Sequence, residues 1–293
     1  MRAQDLARLV VLAAMWGAAF LFTRYAVPFT GAILLVELRV AIAGLALLAF
    51  VLATGGSLGW KRHWRGYLVV GAAGLAAPFT LIAQALTAID ASTAAILNAL
   101  SPLFASIVAA IWIRDPLTPA KLAGIALCLV GTAVLVGWTP VPMTSREVLA
   151  ASLSVAATAL YGYTIVFTKV HLRGAKPLPT AAATLLMAAA SMLPFTPVSR
   201  DLAAIPAGVW AATLGLALVS TTVAFILYYR LIADVGPVKT ITVTLLAPLF
   251  GILWGVLFLG EPLTRGRIAG CAIILSGCSL ILGIARFPAR AAT

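Results

Sequence analysis

Acidic residues are scarce in this chain. Asp and Glu number 8 among 293 residues, and only 10% of the sequence is charged. His and Cys are scarcer, at 2 and 3. His63 and His171 stand alone without metal-ligand neighbours and read as solvated loop residues, so no metal site or cofactor is expected. Cys128, Cys271 and Cys278 are odd in number, fit no disulfide framework and fall in apolar runs, where they read as small packing residues. What abounds is apolar: 63% of the chain is hydrophobic, more than a water-soluble fold of this length can hide. Lys and Arg number 20, giving a net charge of +12. These residues sit in short loops between apolar runs, which excludes a basic nucleic-acid-binding face and points to membrane topology.

Ten runs are long enough to cross a bilayer as helices, at about 8–26, 33–54, 66–86, 92–113, 119–137, 147–169, 179–197, 207–231, 237–259 and 266–285. Helices are the expected state because each span must satisfy its own backbone in lipid. Breakers mark the turns: Gly55-Gly56, Asp115-Pro116, Pro140 and Pro142, Lys176-Pro177, Gly236-Pro237 and Glu261-Pro262. The N-terminus looks like a signal peptide, with Arg2 and Arg8 before an apolar run. That run passes Phe22 without a clear small-residue cleavage site and reads as the first span. One face of the membrane holds only Arg24, Arg146, Arg200, Arg265 and Arg267, and Arg39 lies within span two. The other 14 of the 20 basic residues share the opposite face with both termini, which places the termini in the cytoplasm, as in a multi-pass protein of a bacterial inner membrane. Trp60, Trp64, Trp112, Trp138 and Trp210 lie near span ends as an interfacial belt; Trp254 is ambiguous, and Trp16 alone is clearly at mid-depth.

Residues 85–136 recur as 231–282. Asp115-Pro116-Leu117-Thr118 returns 146 residues later as Glu261-Pro262-Leu263-Thr264, and Pro102-Leu103-Phe104 as Pro248-Leu249-Phe250. A 145-residue shift carries Trp16-Gly17 onto Tyr161-Gly162 and Phe22-Thr23-Arg24 onto Phe167-Thr168-Lys169. The expected units are 1–138 and 139–293. Five spans per copy is an odd number, so the second copy is expected to lie inverted. Repeats on this scale are typical of transporters whose site lies between the halves.

Ten spans, two five-span copies, a Pro in each fourth helix and an acid-Pro-Leu-Thr turn before each fifth helix resemble the drug/metabolite transporter superfamily, and within it the EamA family. The resemblance implies an all-α polytopic membrane protein in which two inverted five-helix repeats enclose a central cavity. The first four helices of each half would form its walls, with the fifth packed outside. Well-known ten-span bacterial members export amino acids, aromatic ones included, and other small metabolites. The sequence departs from phosphorylated-substrate carriers of the superfamily in having no cluster of buried charge.

Several residues suit a binding site on their own terms. Trp16, Phe20 and Thr23 share one face of helix one by their i, i+4, i+7 spacing, and their mates Tyr161, Ile165 and Thr168 share a face of helix six. Tyr163 adds a hydroxyl near Tyr161. Two readings fit these rings: packing between helices, or the lining for an apolar or aromatic ligand group. Asn98 and Ser101 precede Pro102; Thr240 and Thr244 precede Pro248. Each Pro removes one helical bond and displaces the carbonyl four residues back, that of Asn98 or Thr244, leaving either a kink healed by neighbours or an acceptor facing a cavity. Phe79 and its mate Phe225 are weaker candidates, with Thr80 and Gln84 beside the former. The glycines of helices five and ten (Gly124, Gly131, Gly266, Gly270, Gly277) read as close helix contacts.

Glu37 and Arg39 fall near the outer end of helix two, where charges need water or partners. Arg24 with Asp90 or Glu37 on one face, and Lys169 with Asp234 on the other, suggest rim contacts that open alternately; ordinary interfacial charges are the other reading. No His-Glu-x-x-His occurs, all five Asp fall in loops or at the terminus, and neither His is in a span, so a membrane-embedded enzyme lacks its catalytic constellation. The expected function is export of a small neutral amphipathic solute by alternating access, foremost an amino acid. Efflux of lipophilic cations is the alternative, but no buried carboxylate serves it. The expected partners are that solute and the bilayer, and the expected assembly is a monomer or weak homo-oligomer.

Overall fold

The computed structural model describes residues 2–137, 143–197 and 202–284. Trp138, Pro140, Pro142, Arg200, Asp201, Arg286 and Arg290 lie outside the described residues. Among the described residues ten helical spans follow one another: α1 (Ala3–Thr30), α2 (Ala32–Ala53), α3 (Trp60–Ala85), α4 (Ala91–Trp112), α5 (Pro119–Gly137), α6 (Ser145–His171), α7 (Pro177–Phe195), α8 (Ala207–Val235), α9 (Pro237–Thr240 and Val243–Leu259) and α10 (Arg265–Ile281). Seven of them (α1 to α4 and α6 to α8) are long and apolar enough to cross a membrane by themselves. The last, α10, has 17 residues, an axial rise of about 26 Å. Helix ends alternate between two faces, here called the N-terminal face and the far face.

Most boundaries fall within two or three residues of the apolar runs. The exceptions are instructive. Helix α3 starts at Trp60, ahead of Lys61, Arg62 and Arg65. Counting apolar residues misses such a turn, because long basic side chains keep their heads in water while their stems stay helical. For the same reason His63 lies in α3 and His171 closes α6, stacked on Phe167 at 4.2 Å; neither is a loop residue.

The repeated acid-Pro-Leu-Thr turn has one structural job in both copies. Asp115 N–H bonds the Ala109 carbonyl at 3.2 Å, and Glu261 N–H bonds that of Gly255 at 3.1 Å, closing the end of each fourth helix. Pro then stops the helix. Thr118 and Thr264 cap the next one, accepting from Lys121 N–H at 3.3 Å and Arg267 N–H at 3.2 Å.

Glycines set the packing between copies. A Cβ on Gly17 would lie 2.7 Å from Gly251 N, and one on its mate Gly162 would lie 2.6 Å from Ala105 N. Helix α1 therefore lies on α9, and α6 on α4, so each copy grips the fourth helix of the other. Helices α5 and α10 pack together outside this body: a Cβ on Gly124 would stand 2.6 Å from the Gly277 carbonyl, and one on Gly277 equally close to that of Gly124. Such contacts let backbones approach where lipid supplies no hydrophobic drive. Cys128 and Cys278 fill the same seam with sulfurs 3.7 Å apart.

Candidate functional site

A cavity of about 560 Å³ lies among α1, α2, α3, α4, α6, α8 and α9. Its size suits a small-molecule site. Most of its lining comes in repeat-matched pairs, among them Trp16 with Tyr161, Ala19 with Thr164, Thr23 with Thr168, Gly74 with Ser220, Phe79 with Phe225, Asn98 with Thr244, and Pro102 with Pro248. The rings make a shell, with Trp16 5.3 Å from Tyr228 and Phe79 edge-on to Tyr161 at 6.4 Å.

Local backbone irregularity opens this space. A π-helical segment runs through Ala72–Ala76 of α3, and another through Gly215–Val223 of α8, at overlapping repeat positions. Widened turns of this kind often mark functional positions. Here they turn Gly74, Leu75, Ser220 and Thr221 to the cavity. Helix α4 breaks after Asn98 and resumes at Ser101. The Asn98 carbonyl, expected to be left loose, accepts from Ser101 Oγ at 2.8 Å. The atom left without a partner is the buried side-chain oxygen Oδ1 of Asn98. Helix α9 breaks between Thr240 and Val243, not opposite the α4 break, and Thr244 Oγ1 bonds the Ile241 carbonyl at 2.8 Å.

Trp16, Phe20, Phe79, Asn98, Ser101, Tyr161 and Thr244 thus meet at one cavity. Tyr163 does not: two residues from Tyr161 on a helix, it points elsewhere and stacks on Trp112 at 5.5 Å. Trp254, ambiguous by depth, donates from Nε1 to the Ala14 carbonyl at 3.0 Å and pins α9 to α1. Thr80 and Gln84 lie off the cavity.

The proposed rim pairs are not those formed. Arg24 donates to the Leu86 carbonyl, not to Asp90 or Glu37. Asp90 pairs with Arg267. Asp234 pairs with Arg8 at 2.9 Å, leaving Lys169 without it. Loop adjacency in sequence does not specify which long side chains meet across helices; the packing of α10 beside α4 brings Arg267 to Asp90.

One residue of the site was placed at the rim by sequence and proves central. Arg39 is the only charged residue among the described residues that line the cavity. Its Nε donates to Thr221 Oγ1 at 3.1 Å, and its guanidinium lies over the Phe79 ring at 3.7 Å. Glu37, two residues away, faces the opposite side of α2; it is buried, with Oε2 lacking a partner. A charge within a span was the available signal.

The far face is cross-linked where its repeat mate is not. There Glu261, 7% exposed, accepts from Ala91 N–H at 2.7 Å, Ser92 N–H at 2.9 Å and the Ser92 hydroxyl, capping the start of α4. The mate of Glu261 is Asp115, whose counterpart helix starts with Pro237, a residue without N–H. Asp115 instead pairs with Lys121 at 3.1 Å on the surface. Arg24 holds the Leu86 carbonyl, yet among the described residues its mate Lys169 makes no such bond to Ile232.

Comparisons with known proteins agree with this architecture. A solved crystal structure superposes with a TM-score of 0.70 at 21% identity, covering 98% of this chain and 99% of that one, which shows a shared fold. An "uncharacterized transporter" of Archaeoglobus fulgidus is 24% identical over 274 residues, covering 94% of this chain and 97% of that protein. The uncharacterized transporter YyaM of Bacillus subtilis is 22% identical over 282 residues, 93% and 91% of the two chains. A "probable terminal-alkyne amino-acid exporter" of Streptantibioticus cattleyicolor is 25% identical over 278 residues, again 93% and 91%. The model of the EamA-like transporter family matches twice, at residues 6–137 and 148–283, and the chain belongs to that family.

Proposed function

We propose that this transporter exports small, net-neutral amphipathic metabolites, foremost amino acids including aromatic ones, by alternating access. The observation that carries the reading is a cavity lined by repeat-matched residues, with contacts at the far face whose mates on the N-terminal face are missing; in this reading those contacts close the far face. In this reading the units 1–138 and 139–293 are inverted copies. Exchanging contacts between mates would then convert a cavity reached from the N-terminal face into one reached from the far face. With both termini cytoplasmic by the charge distribution, the present form loads from inside the cell. The amino-acid assignment draws on the aromatic shell and on the relative from Streptantibioticus cattleyicolor. Lipophilic cations fit less well, since Arg39 is the only charge on the wall among the described residues. A membrane enzyme would need a second polar group poised for chemistry beside Arg39, and the remaining lining is aromatic, aliphatic or neutral polar.

Flux of labelled amino acids in proteoliposomes of the purified chain tests the proposal. Trp16→Ala and Tyr161→Ala should each weaken uptake of an aromatic substrate about 2- to 10-fold, the range of an aromatic contact worth about 0.5–1.5 kcal/mol. Normal transport by both folded variants would move the site elsewhere.

A further inference from the structure

Arg39 is held as a binding group is held. A guanidinium carries five N–H donors. Its one hydrogen bond among the described residues uses Nε, on Thr221 Oγ1. The Thr221 hydroxyl is itself fixed by donating to the Leu216 carbonyl five residues back at 2.8 Å, a bond that only the π-helical turn permits. Phe79 backs the guanidinium, with Cζ 3.7 Å from its ring centroid. Two contacts therefore hold the group, and among the described residues Nη1 and Nη2 have no hydrogen-bond partner. No carboxylate of the described residues pairs with Arg39. Glu37, on the far side of α2, does not line the cavity.

A charge at the centre of a bilayer costs about 2.5–3.5 kcal/mol on insertion scales, and such residues are normally paired or wet. Among the described residues Arg39 has no carboxylate partner, and it lines the cavity. Its free edge matches the two oxygens of a carboxylate, the ligand for which a planar fork is suited. Building on the transport reading above, we propose that Arg39 is the carboxylate anchor of the cavity and that the solute must bear a free carboxylate. Thr221 and Phe79 position it. The aromatic shell then receives the rest of the molecule, and the uncompensated positive charge rejects simple amines.

The test is a ligand series on the wild-type protein in liposomes: phenylalanine, its amide and phenethylamine, with the same three forms of leucine. Both acids should compete for labelled-acid counterflow, and amides and amines should do so ten- to hundredfold less well, the range for one charge-assisted hydrogen-bond pair. Arg39→Gln should abolish the preference for acid over amide, Arg39→Lys should retain part of it, and Thr221→Val should weaken it while folding normally. Amides moving as well as acids, or an unchanged preference in folded Arg39→Gln, overturns the anchor and leaves the transport reading standing. Failure of every member of both series to move or compete overturns both. Should Arg39→Gln not fold, the wild-type series alone decides the outcome.

Discussion

The Glu261 contact offers a sharp perturbation, because its repeat mate supplies a built-in control. Glu261→Gln keeps the size of the side chain and replaces one acceptor oxygen with a donor. One of the three groups it serves, Ala91 N–H, Ser92 N–H or the Ser92 hydroxyl, then loses its acceptor. An unpaired buried donor costs about 1–3 kcal/mol. Removing a negative charge from the start of α4 adds about 0.3–2 kcal/mol. Once the far face opens, water satisfies these donors and the cost vanishes. The substitution should thus favour the far-open form by about 1.3–5 kcal/mol, roughly 9- to 4,000-fold in population. Asp115→Asn, by contrast, removes a surface ion pair on a side chain 43% exposed, worth about 0–1 kcal/mol. The readout is the rate at which a Cys replacing Thr23, a cavity residue toward the far face with 5% exposure, reacts with an impermeant maleimide applied to that face. The background would lack Cys128, Cys271 and Cys278. At least tenfold faster labelling with Glu261→Gln, and no change with Asp115→Asn, is expected. Equal effects of the two, or no effect of Glu261→Gln in folded protein, would refute the idea that this cap holds the far face shut.

Gly124→Ala and Gly277→Ala should each lower the melting temperature in detergent while leaving the substrate preference intact. The added methyl meets a facing carbonyl at 2.6 Å, so α5 and α10 must part, at about 1–3 kcal/mol. Glu37→Gln should leave flux intact, and flux should persist without a proton gradient, because Glu37 lies outside the cavity lining. Flux that appears only under a pH gradient and vanishes in Glu37→Gln would contradict this. Cys residues replacing Thr118 and Thr264 should label from opposite sides of intact membranes; labelling from one side would contradict the inverted arrangement.

The tandem acid-Pro-Leu-Thr turns were readable because their chemistry is local. A Pro stops the helix, a Thr caps the next, and both act within a few residues whatever surrounds them. Span existence was readable for a similar reason, since lipid forces each backbone to satisfy itself. Trp16, Phe20, Phe79, Asn98, Tyr161 and Thr244 were reachable by combining helical spacing with repeat register. Tyr163 was misplaced because a hydroxyl two residues from a good candidate sits on another face of the helix, and neighbouring helices decided that it would meet Trp112.

The sequence by itself therefore determined the membrane class, the number of helices, the duplication and the small-residue seams, all of which follow from apolar length, register and side-chain size. Only the tertiary structure decided which long side chains meet. Arg39 and Glu37 both fall near the outer end of helix two in sequence, yet the helix turns them apart, and a π-helical turn contributed by α8 supplies the hydroxyl that holds Arg39 to the cavity. Likewise, matched acids in matched turns predict matched contacts. The two copies differ because Glu261 meets free N–H groups at the start of α4, whereas α9 opens with Pro237, which offers none. Such outcomes depend on reach and geometry across helices more than 100 residues apart in the chain, and no local pattern encodes them.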